Sequence, residues 1–247
     1  MAILKPRREE DCAFVLHTYP YSETSLIVEM LTRNHGRLGL LAKGARRPRS
    51  AMRGVLLAFQ PLTISWFGKA ELRTLGRAEW RLVLPQLVGT GLMCGFYLNE
   101  LLLKLVRRED AHEVLFDFYA ETMTLLRDDA GDSNGGKSYG PLLRRFELRL
   151  LKELGYAACL DRDVESGEAI LPFRHYQYVI ERGPVAVTQA VGSRQLRGQT
   201  LLDMAREDYT DPDTAQEAKQ LMRLLLNHYL GGQPLHTRQL IRDLREI

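Results

Sequence analysis

Apolar and polar positions alternate along the first eighty residues and recur every three or four residues afterwards. Residues 12–19 (Cys-Ala-Phe-Val-Leu-His-Thr-Tyr) predict a β-strand ended by Pro20, and residues 24–32 a second, β-branched one, with Tyr21-Ser22-Glu23 as the turn between them. Asn34-His35-Gly36 predicts a turn and residues 37–42 a third strand. Lys43-Gly44-Ala45-Arg46-Arg47-Pro48-Arg49-Ser50 then reads as a loop punctuated by Gly and Pro. Apolar segments over 55–67 surround Pro61, which marks an edge or a break between strands, and residues 72–80 supply a further strand. About five short strands with turns every 8–12 residues predict a small barrel, and the oligonucleotide-binding (OB) type fits its size.

After Pro85 the period lengthens. Leu92, Phe96, Asn99 and Leu103 fall on helical spacing in a segment that runs to Arg107, and Val114, Phe118, Met123 and Leu126 outline a second helix. Residues 141–154 form an amphipathic helix closed by Gly155. The helical period is lost over 156–190, where His175 to Glu181 predicts a short strand, with a hairpin as one form it can take. Helix returns near 200–207. Asp211-Pro212 starts another, which Gly231-Gly232 stops, and a last one spans 237–246. The expected fold is therefore α+β: a five-stranded OB barrel over residues 1–82, then a mostly helical domain over 83–247 with a β-rich insert near 157–190.

Charge sharpens this picture. Net charge is only +3. Residues 1–80 nevertheless carry 13 Lys+Arg against 7 Asp+Glu, a balance of +6, while residues 81–247 carry 21 against 24, a balance of −3. From Met30 to Ala70 there is no acid at all, and eight bases: Arg33, Arg37, Lys43, Arg46, Arg47, Arg49, Arg53 and Lys69. A solvated face normally mixes signs. A one-sign block interleaved with strands is the footprint of a surface for a polyanion. The candidate nucleic-acid-binding residues are Arg33, Arg37, Lys43, Arg46, Arg47, Arg49 and Arg53, with Gly44 allowing close backbone approach. Tyr19, Tyr21, Phe59, Trp66 and Phe67 lie near them. Phe59 and Phe67 read as core, whereas Tyr21 and Trp66 suit base stacking as well as they suit a barrel interior.

Other chemistry is thinly represented. The six histidines are isolated, and no HExxH, G-x-S-x-G or dinucleotide fingerprint occurs, so no enzyme is expected. Asp161 and Asp163 read as structural or surface residues. Residues 131–138 (Gly-Asp-Ser-Asn-Gly-Gly-Lys-Ser) match the phosphate-loop pattern. The charged end of a helix precedes them and Tyr139-Gly140-Pro141 follows, so the strand and helix that such a loop requires are missing; an ATPase using Lys137 and Ser138 is the weaker alternative. An RNA-binding OB module is another. Cys12, Cys94 and Cys159 are scattered, which suits a reducing compartment. No leader and no apolar run of membrane length is visible, so a cytoplasmic protein with no membrane partner is expected. On the helix at 141–154, Arg144, Arg145, Arg149 and Lys152 have Glu147 and Glu153 as ready partners.

Six segments carry a family resemblance. They are Phe14-Val-Leu-His-Thr-Tyr-Pro-Tyr-Ser-Glu-Thr-Ser-Leu, Gly36-Arg-Leu-Gly-Leu-Leu-Ala-Lys-Gly-Ala-Arg-Arg, Tyr97-Leu-Asn-Glu-Leu-Leu, Leu143-Arg-Arg-Phe-Glu-Leu-Arg-Leu-Leu, Leu154-Gly-Tyr and Tyr229-Leu-Gly-Gly-Gln-Pro-Leu-His-Thr-Arg. In this order they resemble the RecO family of bacterial recombination mediators across essentially the whole chain. The resemblance implies an OB barrel followed by a helical domain. It also implies binding of single- and double-stranded DNA, annealing of complementary strands, action with RecR, and help in loading RecA onto coated single strands. It further implies docking of the acidic C-terminal tail of the single-stranded-DNA-binding protein, for which Arg144, Arg145 and Arg149 are the candidates, and a nucleoid-associated location. Many members carry a four-cysteine zinc site after the Leu-Gly-Tyr segment. Here only Cys159 lies there, with Asp161, Asp163 and His175 nearby, so no metal or other cofactor is expected and residues 160–180 are expected to hold their shape by packing.

Overall fold

In the computed structural model, residues 9–69, 72–128, 139–187 and 195–245 are described. Five strands, β1 (Glu9–Tyr21), β2 (Ser25–Thr32), β3 (Gly36–Ala42), β4 (Pro61–Phe67) and β5 (Arg73–Trp80), close a barrel in the order β1-β2-β3-β5-β4. A five-residue helix, α1 (Ala51–Val55), sits between β3 and β4. The barrel is the one expected, of OB type, in an α+β chain. Its interior is filled by the inward alternates of the strands, among them Val15, Val28, Met30, Leu40, Leu62, Ile64 and Trp66.

Two local departures have physical causes. β1 begins at Glu9, not at Cys12, because its acidic start pairs in register with β4, Glu9 opposite Trp66 and Asp11 opposite Ile64. Asp11 then accepts hydrogen bonds from the Asn34 amide (2.8 Å), the Asn34 side chain (2.7 Å) and the Cys12 amide (2.7 Å), which pins the β2–β3 turn. Pro61 opens β4, so the apolar residues before it form α1 and an irregular link instead of a strand. The barrel closes through a thin seam. β3 and β5 run parallel and pair only at Leu40–Arg73 and Leu41–Thr74. Beyond that seam the Glu109 amide donates to the Arg37 carbonyl at 3.0 Å, beside a bridge between Arg37 and Arg108.

The remaining elements are α2 (Gly89–Leu105), α3 (Glu113–Asp128), α4 (Gly140–Glu153), β6 (His175–Val179), β7 (Gly183–Ala186), β8 (Gln195–Arg197), α5 (Gly198–Ala205), α6 (Pro212–Tyr229) and α7 (His236–Arg245). The chain divides into two compact units, 1–135 together with 235–247, and 136–234. The change from strand to helix falls between Trp80 and Gly89, near the expected boundary at 82/83. Compactness groups the chain differently, placing α2, α3 and α7 with the barrel.

In the first unit α2 and α3 pack against β1. Asn99 is buried and donates to the Leu16 carbonyl at 2.9 Å while accepting from the Tyr119 hydroxyl at 2.5 Å. Phe14 meets Phe116 and Tyr119 at ring-centroid distances of 5.5 and 5.1 Å. In the second unit α4, α5 and α6 share a core of Phe146, Leu150, Leu201, Met222 and Leu225. Its sheet has three strands in the order β7-β6-β8, where the sequence suggested at most a hairpin. The third is three residues long, too short for periodicity to reveal. No helix among the described residues is long and apolar enough to cross a membrane.

Candidate nucleic-acid interface

The loop after β3 is ordered by its own backbone. Successive turns link Arg47 N–H to Gly44 O (3.1 Å), Ser50 N–H to Arg47 O (3.0 Å) and Arg53 N–H to Ser50 O (3.2 Å). Gly44 takes φ +68, a conformation open to glycine at little cost. The loop is also tied to the β1–β2 turn. The Arg46 amide donates to the Thr24 carbonyl at 2.8 Å, the Arg46 guanidinium to the Ser22 carbonyl at 3.2 Å, and the Gly44 amide to the Ser25 hydroxyl at 3.3 Å. α1 follows directly and carries Arg53.

This scaffold displays Lys43, Arg46, Arg47, Arg49 and Arg53 at one end of the barrel, all exposed. Among the described residues none of the five has a carboxylate partner. On β1 beside the loop, Tyr19 and Tyr21 are 46% and 44% exposed, and the Tyr19 ring packs edge-on with His17 at a centroid distance of 4.5 Å. Trp66 is 1% exposed and packs edge-on against His35, so it belongs to the interior and cannot stack a base.

Arg33 and Arg37 stand apart from this group. They lie at the opposite end of the β2–β3 hairpin, where six residue steps along the strand separate Arg37 from Lys43, on the order of 20 Å. Both are held by acids. The Arg33 guanidinium grips Asp117 through two hydrogen bonds (3.0 and 2.9 Å) and Glu113 at 2.8 Å. These bonds hold the Asp117 carboxyl below its usual range and raise Arg33 above its own. Arg37 reaches Glu29 at 2.8 Å and the Val106 carbonyl at 2.9 Å, Arg108 also bonds Glu29, and Arg73 meets Glu109 at 3.0 Å. The single track expected from Arg33 to Arg53 is thus divided. The acids that neutralise one end are Glu29, just outside the acid-free stretch, with Glu113 and Asp117. The fold brings them to Arg33 and Arg37, and the linear sequence hides this.

The second candidate cluster also divides. Arg144 is 7% exposed, turns inward and pairs with Glu147, which is fully buried. Arg145 and Lys152 are exposed and share the outer face of α4 with half-buried Arg149, because residues at this spacing fall along one side of a helix. Arg145 meets the Glu207 carboxylate at 3.4 Å, and Arg149 meets Glu153 at 3.6 Å. The expectation that Arg144, Arg145 and Arg149 form one set is corrected by helix rotation, with Lys152 taking the place of Arg144 on the outer face.

Residues 7–82 match the family described as "Recombination protein O N terminal", and residues 88–239 match "Recombination protein O C terminal". The chain belongs to the RecO family. It is 51% identical to the DNA repair protein RecO of Aromatoleum aromaticum over 244 residues, 98% of this chain and 99% of that one. It is 52% identical to the same protein of Nitrosospira multiformis over 249 residues, 100% of both, and 50% identical to that of Ralstonia nicotianae over 246 residues, 98% and 86% of the two chains.

The RecO resemblance raised a zinc site, and the insert's residues do not fit one. Cys159 is its lone thiol, and no group of three or more His, Cys, Asp or Glu among the described residues is placed to share an ion. The Asp163 carboxylate is already committed. It accepts from the amides of Glu165 (2.8 Å), Ser166 (3.2 Å) and Ala186 (2.8 Å). Burial works to raise its pKa, yet these donors hold the group below its usual range. Packing alone was expected to shape the segment; a buried carboxylate ties it as well. The phosphate-loop match at 131–138 lies outside the described residues.

Proposed function

We propose that this chain is a DNA-binding recombination mediator of DNA repair. In this reading it binds single- and double-stranded DNA through Lys43, Arg46, Arg47, Arg49 and Arg53 and anneals complementary strands. It acts with RecR to help load RecA onto strands coated by the single-stranded-DNA-binding protein. The carrying observation is the group of five exposed cations on the ordered loop and α1, without acid partners among the described residues, in a chain of the RecO family. Annealing needs no catalytic group. It needs cations that screen two phosphate backbones while base edges stay free to pair. The acidic tail of the coating protein docks on the outer face of α4, where Arg145, Arg149 and Lys152 exchange Glu207 and Glu153 for the tail's carboxylates.

The test is charge reversal of Arg46, Arg47 and Arg49 together in the full chain. Affinity for a labelled DNA strand, read by anisotropy at moderate salt, falls by at least tenfold. Annealing of coated strands falls with it. Unchanged affinity refutes the assignment. A matched RNA strand that competes better than DNA redirects it to RNA.

A further inference from the structure

A cavity of about 400 Å³ opens beneath the basic loop, lined by Thr18, Leu26, Ala45, Arg46, Arg53 and Leu56. Its volume lies at the lower end of small-molecule sites, about 300–1,000 Å³. The composition is two-part. Half-buried Leu26 supplies apolar surface to the cavity, while Leu56 at 7% exposure and Ala45 with none lie behind it in the barrel core. Arg46 and Arg53 are exposed and make a cationic rim, and Arg46 is held in place by the Ser22 carbonyl at 3.2 Å. Thr18 adds a hydroxyl. Among the described residues no carboxylate lines the space.

We infer that this cavity receives one unpaired nucleobase of a bound strand, with the flanking phosphates on Arg46 and Arg53. The inference rests on the reading of the loop as the DNA interface and adds a strand preference to it. A flat body with apolar faces tethered to an anion matches the Leu26 surface and the Thr18 hydroxyl beneath a cationic rim. An acidic peptide with an apolar end shares that chemistry in part. The rim, however, continues into Lys43, Arg47 and Arg49, which suits a repeating polyanion better than one terminal carboxylate. By strand alternation Tyr19 and Tyr21 point to the other face of β1 from Thr18 and take no part in the pocket. A base in duplex must be unstacked and unpaired before it can enter, so the pocket favours single strands. One withdrawn base leaves its neighbours' pairing edges free.

The experiment uses the full chain and strands of about 16 nucleotides, the upper end of one OB site. A normal strand is compared with an abasic strand of equal length and charge. The normal strand binds about tenfold or more tightly, and the ratio falls towards one in Thr18→Phe, which fills the mouth without altering charge. A ratio near one in the unaltered chain overturns the inference, as does a ratio kept by a folded Thr18→Phe, which would place the base contacts elsewhere. So does displacement of the strand by an acidic, apolar-ended peptide when the ratio is near one. If Thr18→Phe does not fold, the unaltered chain decides. 2-Aminopurine moved along the strand becomes shielded from acrylamide at one position if the pocket is filled, and at none if it is not. Charge reversal of Arg46, Arg47 and Arg49 separates the two levels. If it weakens both strands, the interface stands whatever the fate of the pocket; if it weakens neither, the interface itself fails.

Discussion

Arg144 and Arg145 are adjacent in sequence and differ in every other respect. Arg144 is buried against a buried Glu147, and Arg145 lies outside beside Glu207. Removing one member of a buried ion pair leaves a charge that water cannot reach, at a cost of about 3–5 kcal/mol, whereas an exposed truncation shifts stability by about 0.5 kcal/mol or less. Urea unfolding of Arg144→Ala and Arg145→Ala is expected to show that contrast. Tail-peptide affinity is expected to show the reverse, lost in Arg145→Glu and kept in any Arg144 variant that folds. Gly36 is a sharper case of a residue fixed by its surroundings. It has φ +69, and a Cβ there would sit 2.1 Å from the Asp110 carbonyl oxygen, so the Asn34-His35-Gly36 turn that the sequence announced admits no side chain at its end.

Among the elements, α7 is held by its first residues. Glu100 on α2 accepts from the His236 amide (2.8 Å), the Thr237 amide (2.9 Å) and the Thr237 hydroxyl (2.7 Å), while Arg238 bonds the Tyr97 hydroxyl at 2.7 Å. Burial works to raise the Glu100 pKa, but the three donors hold it below the ordinary carboxylate value. A lowered folded-state pKa means the contribution is complete above the unfolded value and disappears as pH falls through the folded one. Glu100→Gln should therefore cost about 1 kcal/mol near neutrality, a cost that begins to shrink as pH falls below about 4.3 and is gone only below the lower folded-state value, as a pH series of thermal unfolding would show. Nothing in the sequence marks this pair, which spans more than 130 positions. What was legible was local. Alternation revealed β2 and β3, caps and glycines bounded α4 and α6, and composition singled out the loop cations. What was not legible depended on partners distant in the chain: the acidic start of β1, the third strand at 195–197, and the acids that occupy Arg33 and Arg37. The short α1, which completes the cavity, offers too few residues for a helical period.

For the whole molecule, net charge is a poor guide and its distribution a good one. A chain of only +3 presents five exposed cations in one region, unopposed among the described residues. Each phosphate neutralised on a single strand contributes about 0.7 to the slope of log affinity against log salt, so five contacts give a slope of about −3.5. Anisotropy titrations over a salt series measure it directly. A slope near zero would mean that the loop does not touch phosphate. The thin β3–β5 seam has a different consequence. An unprotected strand edge is a template on which foreign strands assemble. Here the chain at Arg108 and Glu109 covers the β3 edge at Arg37, so this barrel offers little purchase for fibril growth even at high local concentration.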